Sequence, residues 1–216
     1  MTDCVNRQTV VYVHGLWHMG PESLLLLHRL ERWFGFDVRA FRYPSVSGSM
    51  QSVCAGLAQL VRGIDAPVVH FLGYSLGGLI VHRYLAETPP PQPGRVVFLG
   101  SPVAGSAAAV AAARRPWART LLGRLVAQEL LVARERRWTL ARPLGLIAGT
   151  RGPGLGSLFA HFGEANDGVV AVSETRLPGA TDHITLPATH LGLVLSGRVA
   201  RQVGVFLREG HFALAP

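Results

Sequence analysis

The chain has 216 residues, of which 49% are hydrophobic, so it is long enough to form one domain with a sizeable core. Its formal net charge of +8 comes from 21 arginines, with no lysine, against 13 acidic residues. Because no nucleic-acid motif accompanies these arginines and no aromatic residues alternate with them, we do not expect a nucleic-acid-binding protein.

The cysteines and the first residues bear on the cellular compartment. Cys4 and Cys54 have no metal-ligand spacing, and two cysteines make a poor disulfide framework. The N-terminus lacks an apolar stretch of signal-peptide length, and no uncharged apolar run approaches the ~20 residues that span a bilayer. The sequence therefore predicts a cytoplasmic protein, and nothing in it implies a metal or another cofactor.

Strands and helices alternate in the first half of the chain. Apolar, β-branched runs predict buried strands at 9–13, 36–43 and 67–72. A proline in a first turn followed by leucines predicts a helix between 20 and 35. Apolar residues at three- and four-residue steps predict a second, amphipathic helix over 50–64.

The alternation continues to the end of the chain. Further strands are predicted at 95–100, 144–149 and 183–186, and further helices at 76–86, 104–113, 116–142 and 191–207. The pattern predicts an α/β fold, with a mostly parallel central sheet of about six strands and helices on both faces. We expect residues 1–216 to form a single domain, with 104–142 as a small helical, cap-like insertion, and active groups at the C-terminal ends of the strands.

The segment Gly73-Tyr74-Ser75-Leu76-Gly77 joins the strand at 67–72 to the helix at 76–86. A turn this tight forces its central residue into strained backbone angles and crowds the residues two positions away, where glycine is therefore needed. The serine hydroxyl is then held at the start of a helix, where backbone N–H groups can bind an oxyanion. This context predicts that Ser75 is a nucleophile.

A serine hydroxyl needs a general base, and the base needs an orienting carboxylate. In a strand–turn–helix nucleophile of this kind the order along the chain is serine, acid, histidine. Asp167 follows the fifth predicted strand in an Asn-Asp-Gly sequence, and His190 follows the last strand in Thr-His-Leu. Asp182 and His183 lie at the start of the last strand and inside it, and His211 lies in the tail. We therefore predict a triad of Ser75, Asp167 and His190. The alternatives are that Asn-Asp-Gly is simply a turn and that His190 simply caps the last helix.

Two backbone N–H groups are expected to form an oxyanion hole. One is that of Leu76, which follows the nucleophile, and the other, chosen by position in the loop after the first strand, is that of Leu16. Trp17 and Met19 in that loop are predicted to line the substrate pocket, and Tyr74 to help shape it. His14 and His18 have no carboxylate or cysteine nearby, so structural roles are expected for them rather than metal binding.

The arginines cluster in one stretch of the chain. Eight of them fall within 114–142, against Glu129 and Glu135. The simplest interpretation is a solvated, partly helical basic face. The alternative is attraction to an anionic substrate or weak association with an anionic membrane surface.

Together these motifs resemble a known family. The segments VVYVHGLWHMG, FLGYSLGGLIVHRYL, VVFLGSPVAGS, NDGVV and ATHLGL are similar to those of small bacterial lipases and esterases of the α/β-hydrolase superfamily. The nearest branch contains GPI-inositol-deacylase-like proteins and small serine lipases, and the resemblance runs from about Val10 to Leu207. The resemblance implies the same triad and the same two oxyanion donors. The arginine-rich stretch 104–142 departs from a smoothly amphipathic lipase lid.

The resemblance and the residues predict a serine esterase or lipase-like hydrolase. Its expected partner is a small-molecule ester or lipid-like substrate. Two alternatives stay open: an acyltransferase or thioesterase that uses the same triad, and a catalytically silent hydrolase scaffold that binds a ligand or partner.

Overall fold

The computed structural model of the chain describes residues 8–17, 21–131, 135–152 and 163–213. Six strands form one sheet: Gln8–Val13 (β1), Asp37–Phe41 (β2), Val68–Tyr74 (β3), Val96–Leu99 (β4), Leu144–Gly149 (β5) and Asp182–Leu186 (β6). Their order in the sheet is β2-β1-β3-β4-β5-β6, and every neighbouring pair is parallel. The predicted parallel sheet of about six strands is therefore confirmed.

Helices cover both faces of this sheet. They are Leu24–Phe34 (α1), Met50–Arg62 (α2), Leu76–Glu87 (α3), Ala107–Ala113 (α4), Pro116–Glu129 (α5), Gly192–Leu195 (α6) and Gly197–Glu209 (α7). Successive residues of a strand point to opposite faces, so Val11 and Val13 pack with α2 and α3, whereas Val10 and Tyr12 pack with α1 and α7. In the part of the chain that the structure describes, no helix is both long and apolar enough to cross a bilayer.

The strand order creates a crevice at one edge of the sheet. The chain runs from β1 to β2 on one side and then returns to β3 on the other side of β1. Because α1 and α3 cover opposite faces, the loops after β1 and β3 diverge. Ligands of open α/β sheets bind at such a reversal, at the C-terminal ends of the strands.

Several predicted elements have other boundaries in the structure, and for three of them a local contact accompanies the change. The strand predicted at 36–43 is only Asp37–Phe41, because Tyr43 leaves the sheet and its hydroxyl donates to the carbonyl oxygen of His14 (2.8 Å). The helix predicted at 104–113 begins only at Ala107, after the side-chain cap of Ser106. The closing helix predicted at 191–207 is split, because Ser196 has an extended backbone and its hydroxyl accepts the N–H of Val199 to cap α7.

The prediction that 116–142 is a continuous helix is wrong. Helix α5 ends at Glu129 and contains a non-helical Gly123 (φ 76°). Residues 135–142 are not helical, because contacts with the body of the domain hold them instead. The Trp138 ring is buried edge-on against Phe98 (6.1 Å between centroids), and the Arg142 guanidinium donates to the carbonyl oxygens of residues 69, 90 and 92.

Two glycines allow α3 to lie close to the sheet. A Cβ on Gly77 would lie 2.0 Å from the carbonyl oxygen of Val13 in β1, and a Cβ on Gly73 would lie 2.5 Å from the Cα of Gly78. Any larger side chain at either position would push the helix away from the strands. The predicted need for glycine two residues before and after Ser75 thus has a direct steric cause.

Gly77→Ala should lower the free energy of unfolding by about 2 kcal/mol or more, because the added methyl group overlaps backbone atoms that have no room to move. Gly56 in α2 is a matched control, since its added Cβ would meet only the Phe41 ring at an ordinary 3.4 Å. Gly56→Ala should instead stabilise the protein by roughly 0.5–1 kcal/mol, the usual gain in a helix interior. Urea unfolding measures both, and a Gly77→Ala variant as stable as the wild type would contradict this account.

His70 on β3 is buried as a neutral side chain. Its Nδ1 accepts the backbone N–H of Arg95 (2.9 Å), so Nε2 carries the hydrogen and donates to Oε1 of Gln8 (3.1 Å). Burial, and to a smaller extent the nearby Arg95 and Arg142 charges, lower the pKa of His70 from 6.5 to about 4. Protonation would therefore favour the unfolded chain.

The stability that neutral His70 supplies should be complete above about pH 6.5 and lost as the pH falls toward 4, by about 3 kcal/mol in total. The loss should be much smaller in His70→Gln, whereas the titration of carboxylates is common to both proteins. Urea unfolding at several pH values between 4 and 8 gives the two slopes. Equal slopes would contradict the assignment of the pH dependence to His70.

Candidate active site

Ser75 occupies a strained turn between β3 and α3. It is the one residue between the end of β3 at Tyr74 and the start of α3 at Leu76, and its backbone has φ 53° and ψ −121°. In the described part of the chain only Trp17 (φ 59°) shares a positive φ among residues other than glycine. The N–H of Ser75 donates to the carbonyl oxygen of Leu99 (2.8 Å), so the turn is fixed to the end of β4.

His190 and Asp167 form a close pair. Nδ1 of His190 lies 2.7 Å from Oδ2 of Asp167, and the backbone N–H of His190 donates to the carbonyl oxygen of the same aspartate (2.8 Å). Oδ1 of Asp167 accepts the backbone N–H groups of Val169 (2.9 Å) and Val170 (2.8 Å). Since an ionised carboxylate can only accept, Nδ1 carries the hydrogen and the other ring nitrogen, Nε2, keeps its lone pair.

The two halves of the site meet at the end of β4. A Cβ on Gly100, the residue after Leu99, would lie 3.0 Å from Oδ2 of Asp167 and 3.1 Å from Nδ1 of His190. The structure therefore brings Ser75, which is bonded to Leu99, to the same edge of the sheet as the other two predicted residues. Asp167 is 1% exposed, and the His190 side chain is 13% exposed, so the imidazole reaches the surface while its carboxylate does not.

Tyr74 packs against His190. Its side chain is fully buried, so any influence on the shape of the substrate pocket, as predicted from the sequence, would be indirect. The Tyr74 hydroxyl donates to the carbonyl oxygen of His190 (3.1 Å), and the two rings lie 5.1 Å apart. Side chains alternate between the two faces of the sheet along β3, and this explains the burial, because Tyr74 points to the same buried face as Leu72.

The two predicted oxyanion donors flank Ser75. Leu76 is the first residue of α3, and Leu16 lies in the loop after β1. This loop touches the serine, since a Cβ on Gly15 would lie 3.0 Å from the Cβ of Ser75. Within the residues that the structure describes, neither N–H donates to a protein acceptor.

The loop after β2 holds the loop after β1 in place. The Ser45 hydroxyl accepts the N–H of the strained Trp17 (3.2 Å), and the Tyr43 hydroxyl donates to the carbonyl oxygen of His14 (2.8 Å). The rings of His14 and Tyr43 are stacked, with centroids 4.3 Å apart. Burial lowers the pKa of His14, so His14 is a neutral packing residue. The sequence analysis missed Tyr43 and Ser45 because only Pro44, a sign of strand termination, stands out between them.

A cavity of about 440 Å³ lies beside this pair of loops. Trp17, predicted to contact substrate, forms part of its wall and is 55% exposed. The other predicted pocket residue, Met19, and His18 lie outside the described residues. The cavity is lined by His14, Trp17, Arg42, Tyr43, Pro44, Ser45, Val46 and Ser47. No group of three His, Cys, Asp or Glu side chains among the described residues is arranged to hold a metal ion.

Comparison with known proteins gives structural but not sequence relatives. No protein-family model matches the sequence, and a search of curated proteins finds no match. The chain is similar to BlEst2, a lipase from Bacillus licheniformis in its propeptide form, with a TM-score of 0.71 and 22% identity over 97% of this chain. That match covers 51% of the lipase, so this chain spans about half of its length.

Two further structures have other activities. The RedJ thioesterase of the prodiginine pathway in Streptomyces coelicolor has a TM-score of 0.60 and 14% identity, over 92% of this chain and 85% of its own. A bromoperoxidase from Bacillus anthracis has a TM-score of 0.62 and 15% identity, over 94% and 92%. A lipase, a thioesterase and a bromoperoxidase share the architecture, so the reaction must be argued from the site. The sheet order and these likenesses show that the chain has the α/β-hydrolase fold.

Proposed function

We propose that this protein is a serine hydrolase that cleaves carboxylic esters through an acyl-enzyme on Ser75. The observation that carries the proposal is the 2.7 Å pair of His190 and Asp167, which lies at the strand end to which the strained Ser75 turn is fixed. A buried carboxylate, a partly exposed imidazole and a nucleophile on a sharp turn are the three parts that acyl transfer requires. The likeness to a lipase and a thioesterase is consistent with this reaction class.

The reaction begins with attack by Oγ of Ser75 on the ester carbonyl carbon, while Nε2 of His190 accepts the hydroxyl proton. The N–H groups of Leu16 and Leu76 then donate to the negatively charged oxygen of the tetrahedral intermediate. As the intermediate collapses, the C–O bond to the alcohol breaks and the alcohol takes the proton from His190. Water, deprotonated by the same imidazole, attacks the acyl-enzyme, releases the acid and restores Ser75.

Asp167 acts through His190. Its two oxygens already accept two backbone N–H groups and the imidazole, so the carboxylate cannot turn away from the ring. In the proposed mechanism this arrangement holds Nε2 toward the serine and stabilises the imidazolium that forms after proton transfer.

The same acyl-enzyme would serve an acyltransferase or a thioesterase, which differ only in the acceptor or the leaving group. The likeness to the RedJ thioesterase keeps this candidate in view. Products formed from thioesters, or from esters with added alcohols, distinguish the three reactions. The more specific affiliation with the GPI-inositol-deacylase-like branch also remains a proposal, supported by the Asn-Asp-Gly and Thr-His motifs.

Association of the arginine stretch 114–142 with anionic membranes would have to rely on only part of its arginines. Arg136 is buried, donates to Glu129 and to the carbonyl oxygen of Val103, and so is already paired. Arg142 binds backbone carbonyl groups of the body. Both side chains have structural roles, which leaves fewer arginines for a surface.

Ser75→Ala should lower kcat for p-nitrophenyl esters by at least about 10³-fold with the fold intact, because the nucleophile is lost. The wild type should react with a fluorophosphonate probe, and the variant should not. If the protein were a catalytically silent scaffold, the wild type would not react either. Ser101 is a matched control, since it is a buried serine near the turn whose hydroxyl donates to the carbonyl oxygen of Leu99. Hydrolysis by Ser75→Ala at the wild-type rate would end the proposal.

Ser45→Ala should lower kcat by about tenfold and leave KM nearly unchanged, because it releases the loop that presents the N–H of Leu16 to the transition state. Ser45→Thr keeps a hydroxyl in place and should restore most of the rate. The measurement is a full kinetic curve with a neutral ester for all three proteins. A change in KM alone, or a threonine variant no better than alanine, would show that Ser45 does not act through the loop.

A further inference from the structure

The cavity beside the loops is adjacent to the proposed nucleophile. Its wall includes His14 and Trp17, which flank Gly15 and Leu16, and Gly15 is in near contact with the Ser75 side chain. When the carbonyl carbon of an ester lies at the Ser75 hydroxyl, the part of the substrate that extends toward Gly15 and Leu16 therefore enters the cavity. Its volume of about 440 Å³ suits a small organic group.

The charge in this cavity has one sign. Arg42 is the one ionised side chain among the eight lining residues, and no aspartate or glutamate is among them. His14 is held neutral by burial, so it adds no second charge near neutral pH. Within the described chain no carboxylate forms an ion pair with Arg42, which follows the end of β2, in contrast to Arg39 in β2, which pairs with Asp37 (3.0 Å).

The polar groups of the wall are mainly hydrogen-bond donors. Ser45 is 9% exposed, and because its oxygen already accepts the N–H of Trp17, its own hydroxyl hydrogen is directed elsewhere. Ser47 adds a second hydroxyl, and the Arg42 guanidinium adds up to five N–H groups. The Tyr43 hydroxyl is already committed to the carbonyl oxygen of His14. A wall with these donors, a positive charge and no negative charge complements an anion.

We propose that this cavity binds a carboxylate or phosphate group of the ester substrate, with Arg42 as the residue that selects it. The proposal rests on the proposed function, because it assigns a substrate class to the Ser75 site. It makes Arg42 a specificity-determining residue: a neutral ester would be cleaved without using the guanidinium, and an anionic ester would bind through it.

The test compares kcat/KM for matched anionic and neutral esters. The acyl-side pair is mono-p-nitrophenyl adipate and its methyl ester. The alcohol-side set is 4-acetoxybenzoate and 4-acetoxyphenyl phosphate against methyl 4-acetoxybenzoate, which also separates carboxylate from phosphate. In the wild type at least one anionic ester should be preferred, and Arg42→Gln should reduce the anionic-to-neutral ratio by about tenfold or more, the usual value of a charge-assisted hydrogen bond.

Arg39→Gln is the matched control, because it removes the same charge three residues earlier in the chain, at an exposed ion pair with Asp37. It should keep the wild-type ratio. An equal fall in both variants would mean general electrostatic steering and would overturn the proposal. The ratio in the wild type should also decline in high salt.

The outcomes separate this inference from the proposed function. If Ser75 is required for hydrolysis but Arg42→Gln leaves the ratio unchanged for every pair, the cavity proposal is wrong and the proposed function stands. If no ester is cleaved through Ser75, the proposed function fails, and calorimetric binding of monomethyl and dimethyl adipate to Ser75→Ala decides the cavity proposal. Tighter binding of the monoanion that disappears on adding Arg42→Gln supports it, and equal binding overturns it.

Discussion

The hydrogen bond from the N–H of Ser75 to the carbonyl oxygen of Leu99 is the interaction on which the site depends. It holds a non-glycine residue at φ 53°, a conformation that costs of order 1–3 kcal/mol and persists only where its surroundings impose it. The surroundings here are β3, β4 and a helix that glycine allows to approach within contact of β1. Relaxation of this turn would move the Ser75 hydroxyl and the N–H of Leu76 together, so the proposed nucleophile and the proposed oxyanion donor are coupled by one backbone constraint.

The orientation of the imidazole is fixed from three sides. The Asp167 carboxylate accepts from Nδ1 of the His190 ring. The carbonyl oxygen of Asp167 accepts the backbone N–H of His190, and the Tyr74 hydroxyl donates to the backbone carbonyl oxygen of His190. Because Tyr74 precedes Ser75, the strand that leads to the proposed nucleophile also supports the proposed base. Gly100 leaves the space in which the pair packs, since any Cβ there would crowd both side chains. A substitution of Gly100 would therefore displace the imidazole of His190 although Gly100 itself has no functional group.

Much of the fold, and the convergence of the candidate site residues at one edge of the sheet, could be predicted because their signals are local. Strands are apolar runs, the Ser75 turn lies between a strand and a helix, and chain order leaves few candidates for the acid and the base. The contacts that were missed are not local: Tyr43 and Ser45 act on residues about 30 positions away. Helix 116–142 was extended too far because arginine, leucine and alanine favour helices, whereas burial of the Trp138 ring and the conformation of Gly123 decided otherwise.

The loops after β1 and β2 illustrate how a shallow crevice becomes a shaped site. Neither loop has regular structure, yet the stacked rings of His14 and Tyr43 and the bond from Trp17 to Ser45 join them. Positive φ at Trp17 is the second strained position near the serine, and it too is held by a contact from a different segment. Rigid strands supply the positions of the site, and contacts between loops supply its finer geometry.

The segment that interrupts the alternation of strands and helices is also part of the core. Leu125, Val126 and Trp138 are buried in the same cluster as residues of β3, β4 and α3, and the Arg142 guanidinium donates to the carbonyl oxygen of Val69 near the start of β3. A shortened version that removed 104–142 would therefore expose apolar residues of β3, β4 and α3 rather than only open an entrance to the crevice. A minimal form of this protein would need a replacement segment that covers these apolar residues. That segment would also need a side chain large enough to fill the volume of Trp138.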